Sequence, residues 1–339
     1  MTAKDFWSKS TIAVVGAGSW GTVLAHMAAH NCNEVRLWMR DEDQARAINS
    51  TRSNPKYVKH LSVQSKVRAF SEPERIFDGD GVQAVIWVLP SKITREQAQF
   101  FSKYMKGDEI VIHATKGVEA ESLKRISQIL SEELPVPRIG VLSGPNLAHE
   151  LAHGQPAATV VASNFSEVVE AGQSLFATDH FRVYGGHDMV GVEWAGTLKN
   201  ILAIASGAVD ALNMGWNTRA ALITRGLAEM VRFGVAMGAD ESTFLGLAGV
   251  GDFMATCCSP LSRNYRVGYG LGSGKPLADI LSELGETAEG VMTTKSVWEF
   301  AKKRNIYMPI TEGVYQTLYE NLSYPELLKS LMKKPQMAE

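Results

Sequence analysis

Several absences narrow the possibilities. Only 3 of the 339 residues are cysteine. Cys32, Cys257 and Cys258 show no metal-like spacing, and adjacent cysteines rarely pair, so reduced thiols in a cytoplasmic protein are expected rather than a disulfide scaffold or a zinc site. No uninterrupted apolar run approaches the ~18 residues of a membrane span. The opening Met1-Thr-Ala-Lys-Asp-Phe-Trp7 has no signal-peptide core. Net charge is −2, without a basic run or basic–aromatic interleaving, which argues against a nucleic-acid partner.

What is present is apolar surface enough for two cores. The chain is 45% hydrophobic, and its length suits two domains. Up to about residue 188 strand-like and helix-like segments alternate. Strands are expected at 11–15, 34–40, 84–89, 109–114, 139–143 and 158–162, with helices such as 95–105 and 122–133 between them. That pattern predicts a doubly wound parallel sheet of Rossmann type over 1–189, with ligands at the carboxyl ends of its strands. Pro90-Ser91, Thr115-Lys116-Gly117 and Ser143-Gly144-Pro145-Asn146 fall at such ends. From about 190 the strand pattern stops, and an all-α domain is expected over 190–339. Its helices are placed at 193–212, 219–237, 288–304, 311–321 and 325–333, with a Gly/Ser-rich loop at 269–274 and a frayed tail at 333–339.

The first strand runs directly into Gly16-Ala-Gly18-Ser19-Trp20-Gly21 and then a small-residue helix. Gly16 permits a tight turn, Gly18 lets the backbone approach a pyrophosphate, and Gly21 lets helix and strand pack closely. The helix N-terminus offers N–H groups and a partial positive charge to the phosphates. The second strand closes on Met39-Arg40 where an NAD-binding site would carry an acid. A guanidinium suits a 2′-phosphate, so NADP(H) is the expected cofactor, with NAD(H) possible. Read blandly, Arg40 is a solvated strand end and Asp41 the cap of a helix starting at Glu42.

Lys199-Asn200 sits midway along the apolar segment 193–212. Burial lowers a lysine's pKa and makes it a base near neutrality; a lysine snorkelling to the surface is the alternative. Glu193, Thr197 and Asn200 follow helical spacing and predict a polar stripe along one wall of a wet cleft. Ala248-Gly-Val-Gly251-Asp252 is a second glycine-rich turn, with Asp252 either functional or an N-cap. Ser262-Arg263-Asn264 gathers donors into a cradle for an anion, or is an exposed polar turn.

Taken in order, G-A-G-S-W-G at 16–21, A-T-K-G at 114–117, L-S-G-P-N-L-A at 142–148, L-K-N at 198–200, A-G-V-G-D at 248–252 and S-R-N at 262–264 resemble the NAD(P)-dependent glycerol-3-phosphate dehydrogenase family, bacterial type. The likeness spans nearly the whole chain. It implies a 6-phosphogluconate-dehydrogenase-like pairing of Rossmann and helical domains. The implied reaction interconverts dihydroxyacetone phosphate and sn-glycerol 3-phosphate for phospholipid synthesis, without a metal. Ser19, Trp20, Arg40, Ala148, Thr287 and Glu289 match cofactor positions, and Lys116 a position near both nicotinamide and substrate. Lys199 matches the catalytic proton acceptor, held by Asp252, with Lys116 and Asn200 orienting the reacting oxygen. Gly144, Asn146, Asp252, Ser262, Arg263 and Asn264 match substrate positions, with Arg263 also near the cofactor; Asn146 stands where bacterial relatives commonly carry Ser or Thr. A β-hydroxyacid dehydrogenase or ketopantoate reductase, a nucleotide-holding redox sensor, and a paralogue with a dead site are the rival readings. The apolar helical domain leads us to expect a homodimer.

Overall fold

A computed structural model describes residues 3–79, 81–285 and 287–332; the tail expected at 333–339 lies outside them. The sheet comprises β1 (Thr11–Val15), β2 (Glu34–Trp38), β3 (Val67–Phe70), β4 (Ala84–Trp87), β5 (Ile110–His113), β6 (Ile139–Ser143), β7 (Ala157–Ala162) and β8 (Phe181–Gly186). Their order is β3-β2-β1-β4-β5-β6-β7-β8. Around them lie α1 (Ala3–Trp7), α2 (Ser19–Ala28), α3 (Glu42–Thr51), α4 (Glu74–Phe77), α5 (Thr94–Ser102), α6 (Ile126–Glu133), α7 (Ala148–Ala152) and α8 (Ser166–Phe176). Apolar layers cover both faces of the sheet, which is why β1, β4 and β5 read as continuous Val/Ile/Ala runs. Because β1 pairs with β2 on one side and β4 on the other, the strand order reverses there and opens a crevice at the carboxyl end of β1.

The sheet departs from expectation in three ways. β3 and β8 join it although neither carries a long apolar run. Each lies at an edge and is buried on fewer positions, so its sequence need not be apolar. β7 runs antiparallel to β6 in an otherwise parallel sheet. β2 ends at Trp38, so Met39-Arg40 forms the connection to α3, whose cap is Asp41, accepting from Gln44 N at 3.0 Å.

The helical half follows as α9 (Met189–Ala211), α10 (Trp216–Ala236), α11 (Asp252–Cys257), α12 (Arg263–Gly272), α13 (Leu277–Leu284), α14 (Glu289–Lys303), α15 (Pro309–Tyr319) and α16 (Tyr324–Met332). α9 is buried almost all round and forms the axis on which α10, α11, α12, α14 and α15 pack.

Two helix expectations need correction. The helix expected from 122 begins at Ile126, because 119–125 folds into a turn with Leu123 at φ 56° and Arg125 extended. The loop expected at 269–274 is helical as far as Gly272. Two of its glycines serve close packing: a Cβ at Gly270 would sit 2.7 Å from Ile280 Cδ1, and one at Gly272 2.9 Å from Ala208 O. Just upstream the contact is tighter still, since a Cβ at Gly268 would sit 1.8 Å from Ile204 O, and one at Gly207 2.0 Å from Tyr265 O. α9 and α12 thus touch backbone to backbone, as small residues allow.

Forcing a methyl group into that contact should cost about 1–3 kcal/mol, by the usual penalty for overpacking. Gly268→Ala is therefore expected to lower the denaturant midpoint clearly. An unchanged midpoint would mean that the two helices are not held this closely.

Candidate active site

The crevice is built by steric constraint. Gly16 has φ +114°, and a Cβ there would lie 2.5 Å from Val88 O; one at Gly21 would lie 1.8 Å from Gly16 O. At Gly18, by contrast, a Cβ would meet nothing within 4 Å. Gly18 is also the N-cap of α2 and provides no side-chain cap, which leaves the first N–H groups of the helix for an anion. Buried Asn54 holds this turn, donating to Ala17 O at 3.0 Å and Thr22 Oγ1 at 2.8 Å; Gln44 donates to Ala17 O at 3.1 Å. Reasoning from sequence missed both amides, since neither belongs to the glycine motif. Trp20 and Ala148, the latter opening α7, pack against the same apolar layer. Arg40 is exposed just beyond β2. Open space at Gly18, an uncapped helix start and a cation beyond β2 fit a dinucleotide phosphate.

At the far side of the crevice three charged groups meet. Asp252 opens α11, with Gly251 as its N-cap, so its carboxylate is not spent on capping. Oδ1 accepts from Lys199 Nζ at 2.5 Å, and Oδ2 accepts from Lys116 Nζ at 2.7 Å. Lys199 also donates to Thr256 Oγ1 at 2.6 Å, and Lys116 donates to Gly144 O at 3.3 Å. Lys199 and Asp252 are 4% and 2% exposed, so their charges interact with little screening by water. Burial alone would raise the Asp252 carboxyl, but the two ammonium groups hold it below its ordinary value. Burial and the like charge of Lys116 push the Lys199 ammonium down to about 7, against the pull of Asp252. A lysine of that kind exchanges protons near neutral pH. The sequence offered no independent signal for Thr256; it lies one helical turn beyond Asp252, on the same face of α11.

A third group of residues gathers at the starts of α12 and α14. Ser262 caps α12 by accepting from Tyr265 N at 3.3 Å. Asn264 is buried and accepts from Gly290 N at 3.0 Å, while Arg263 is exposed. The triplet is thus neither wholly exposed nor wholly available, because Asn264 has committed its oxygen. Glu289 accepts from Ser91 N at 3.2 Å and from the Ser91 hydroxyl. Burial raises the Glu289 carboxyl, against the Ser91 bonds and the nearby charge of Arg263. A Cβ at Gly117 would lie 3.0 Å from Ser91 Oγ and 3.1 Å from Glu289 Oε2. Ser91, Gly117 and Glu289 therefore close together across the two halves of the chain. Thr287 is exposed just before α14.

Glu193 and Thr197 of the expected polar stripe turn into the protein rather than lining a cleft. The Glu193 carboxylate accepts from Ser127 and Arg125 and lies 3.1 Å from His113 Nε2, and the Thr197 hydroxyl donates to Glu193 O at 2.8 Å. Asn200 donates to Gly196 O at 3.3 Å and is buried. Of the polar residues in this part of α9, Lys199 is the one that reaches Asp252. Asn146 donates to Ala158 O at 3.1 Å and accepts from Thr159 Oγ1 at 2.9 Å. Its amide ties the turn after β6 to β7 and keeps one N–H for a ligand.

A dinucleotide crevice in a Rossmann-type sheet, facing a buried lysine on the axial helix of an all-α half, defines a class: two-domain, nicotinamide-dependent dehydrogenases. Comparison with known proteins narrows it. Residues 11–169 match the N-terminal family profile, and 188–329 the C-terminal profile, of NAD-dependent glycerol-3-phosphate dehydrogenase. The glycerol-3-phosphate dehydrogenase [NAD(P)+] of Oceanobacillus iheyensis is 44% identical over 325 residues, covering 95% of this chain and 94% of the relative. That of Pseudomonas aeruginosa (strain LESB58) is 45% identical over 322 residues, with the same coverage. Among solved structures, the glycerol-3-phosphate dehydrogenase of Coxiella burnetii superposes with a TM-score of 0.90 at 35% identity, covering 96% of this chain and 99% of that one. The chain belongs to the NAD-dependent glycerol-3-phosphate dehydrogenase family. A ketopantoate reductase from Ralstonia eutropha JMP134, at 18% identity and a TM-score of 0.58 over 91% of this chain and 97% of that one, shares the fold alone.

Asp252→Asn would leave two ammonium groups facing each other without a counter-charge. Breaking a buried pair in this way costs about 3–5 kcal/mol. Lysines depressed in the folded state bind fewer protons there than when unfolded, so stability rises with pH. The parent Lys199 gives up its proton near 7 and the variant gives it up lower, so the deficit should shrink as pH climbs toward about 7 and level off above it. Chemical denaturation at several pH values measures it, and a deficit independent of pH would contradict the charge account.

Proposed function

We propose that the chain interconverts dihydroxyacetone phosphate and sn-glycerol 3-phosphate, supplying glycerol phosphate for phospholipids, with Lys199 as its proton-transfer group. The observation that carries this reading is the buried Lys116–Asp252–Lys199 chain at 2.7 and 2.5 Å, set across from the dinucleotide crevice. When bound, the nicotinamide exchanges hydride with C2 of the substrate, and the protein supplies position and charge. In reduction Lys199 donates a proton to the C2 oxygen; in oxidation it removes one. Lys116, 22% exposed at its side chain, and Asn200 polarise and orient that oxygen, and Asp252 holds both lysines. Gly144 and Asn146 border the substrate. The phosphate is taken by Ser262, Arg263 and Asn264, supported by the start of α12 and by the planar fork of arginine. Gly16, Gly18, Ser19, Trp20, Gly21, Arg40, Lys116, Ala148, Arg263, Thr287 and Glu289 hold the cofactor.

Three further readings go with this one. The boundary between the halves is drawn at 189/190, supported by the end of β8 at Gly186 and the start of α9 at Met189. A homodimer is proposed, supported by the exposed Trp216 and Leu245 on the helical half. A cytoplasmic location is proposed, supported by three free cysteines; among the described residues no helix is long and apolar enough to cross a membrane.

The deciding experiment follows NADPH and NADH oxidation spectrophotometrically with dihydroxyacetone phosphate. No oxidation of either cofactor would refute the reaction. Loss of a general acid–base group costs about 10²–10⁴ in rate, so Lys199→Ala should lose most of its turnover while still binding NADPH. Because the protonated amine is the donor in reduction, reductive turnover should fall as pH rises through the Lys199 value of about 7, and oxidative turnover should rise through it. Turnover of the variant within a few-fold of the parent would transfer the role to Lys116.

NADPH is expected to be the better cofactor because of Arg40. A charge-assisted hydrogen bond contributes about 1.5–3 kcal/mol, roughly tenfold to a hundredfold in selectivity. Arg40→Ala should raise the KM for NADPH and leave that for NADH almost unchanged. Equal losses for both cofactors would refute the assignment.

A further inference from the structure

The catalytic chain does not use Glu193, yet this residue is among the most thoroughly bound carboxylates in the molecule. It lies on α9, the helix of Lys199, with its side chain only 3% exposed. Its oxygens accept from Ser127 N at 2.8 Å, from Ser127 Oγ at 2.6 Å and from the Arg125 guanidinium, and lie 3.1 Å from His113 Nε2. All three partners belong to the sheet-bearing half: His113 ends β5, and Arg125 and Ser127 flank the start of α6. Between them runs the segment 114–124, which carries Lys116. Glu193 thus ties both ends of that segment to the helix that presents Lys199.

A second contact fixes where the segment meets the helix. At Gly196 a Cβ would lie 3.7 Å from Lys116 Cγ and 3.2 Å from Ser143 Oγ. The stem of Lys116 therefore runs within van der Waals range of α9 at Gly196, one turn beyond the clamp. We infer that Glu193 is a positioning residue that fixes where the Lys116 ammonium sits relative to Asp252 and Lys199, without itself touching substrate or cofactor.

The electrostatics suit a fixed clamp. Burial alone would raise the Glu193 carboxyl, but the close approach of His113, with Arg125 and Ser127, holds it down to about 2. It stays ionised throughout the range in which Lys199 titrates. The groups facing Lys199 are Asp252, Lys116 and the Cys257 thiol, itself pushed up by burial. Of these, Lys116 is the one whose position the clamp governs.

The inference rests on Lys199 as the proton-transfer group, and the test separates the two. Glu193→Gln keeps the shape and one acceptor for Ser127 but removes the charge facing Arg125 and His113. In the full-length enzyme, kcat and KM for dihydroxyacetone phosphate are measured across pH, with NADPH affinity by fluorescence titration and the Tm. A displacement of ~1 Å in a reacting group costs about 10²-fold in rate, so kcat should fall while NADPH affinity holds. As Lys116 moves away, Lys199 loses a like charge, and the inflection in reductive kcat should shift to higher pH. Glu193→Gln combined with Lys116→Ala should be no slower than Lys116→Ala alone, because the two losses share one cause.

A purely structural residue would lower Tm, leave the inflection in place and multiply its loss with that of Lys116→Ala; either kinetic result overturns the inference. If Glu193→Gln does not fold, Ser127→Ala removes one bond of the clamp and is read the same way, a smaller upward shift supporting the inference and an unmoved inflection overturning it. Full turnover in Lys199→Ala would overturn the proton-transfer reading instead, whatever Glu193→Gln shows.

Discussion

The Asp252 carboxylate, set between two ammonium groups and almost out of reach of water, is the interaction on which the site depends. Isolated buried charges are costly, and they are tolerated when paired and fully hydrogen-bonded. Here each oxygen of Asp252 has a lysine, and Lys199 has Thr256 as well. The arrangement requires three pieces of chain to meet at hydrogen-bond range: the loop after β5, the middle of α9 and the first turn of α11. Much of the remaining architecture serves to hold those pieces still.

Small residues make that possible. α9 can be central because Gly207 on it and Gly268 on α12 let the two backbones touch. The crevice follows the same logic, with Gly16 and Gly21 leaving no room for a side chain and Gly18 leaving room outside. Glycine therefore acts in both halves as a spacer that sets backbone distances, once for a phosphate and once for a helix. Where glycine does not set the distance, buried amides and carboxylates do, as Asn54 does for the turn at Ala17 and Glu193 for the loop that carries Lys116.

The charge of the site suits its chemistry. Two lysines around one carboxylate suit the proposed reaction, in which the reacting oxygen gains negative charge during reduction. Lys116 remains partly open to the cleft while Lys199 is enclosed. Lys199, depressed to about 7, is poised to exchange a proton. Burial is the largest cause of that depression, and the like charge of Lys116 adds to it against the pull of Asp252.

The sequence by itself determined whatever short-range pattern can encode. The strand–glycine–helix order at 11–21, the change from alternating strands and helices to helices alone near residue 190, and a lysine inside an apolar helix are all local, and each has the physical consequence read from it. Asp41 as the cap of α3 is equally local. Tertiary structure decided the rest, because partners distant in sequence leave no periodic trace. Lys116 and Asp252 are 136 residues apart, and Ser127 and Glu193 are 66 apart. Gly270 and Gly272 read as part of a flexible loop until Ile280 of α13 is laid against the first and Ala208 of α9 against the second. The edge strands β3 and β8, each interrupted by an arginine and without a long apolar run, are completed by the unpaired backbone groups that a neighbouring strand offers. Glu193 was legible as a polar residue on an apolar helix; only the packing of β5 and α6 against that helix made it a clamp rather than the wall of a cleft, since a buried carboxylate goes to whichever donors the fold brings within reach.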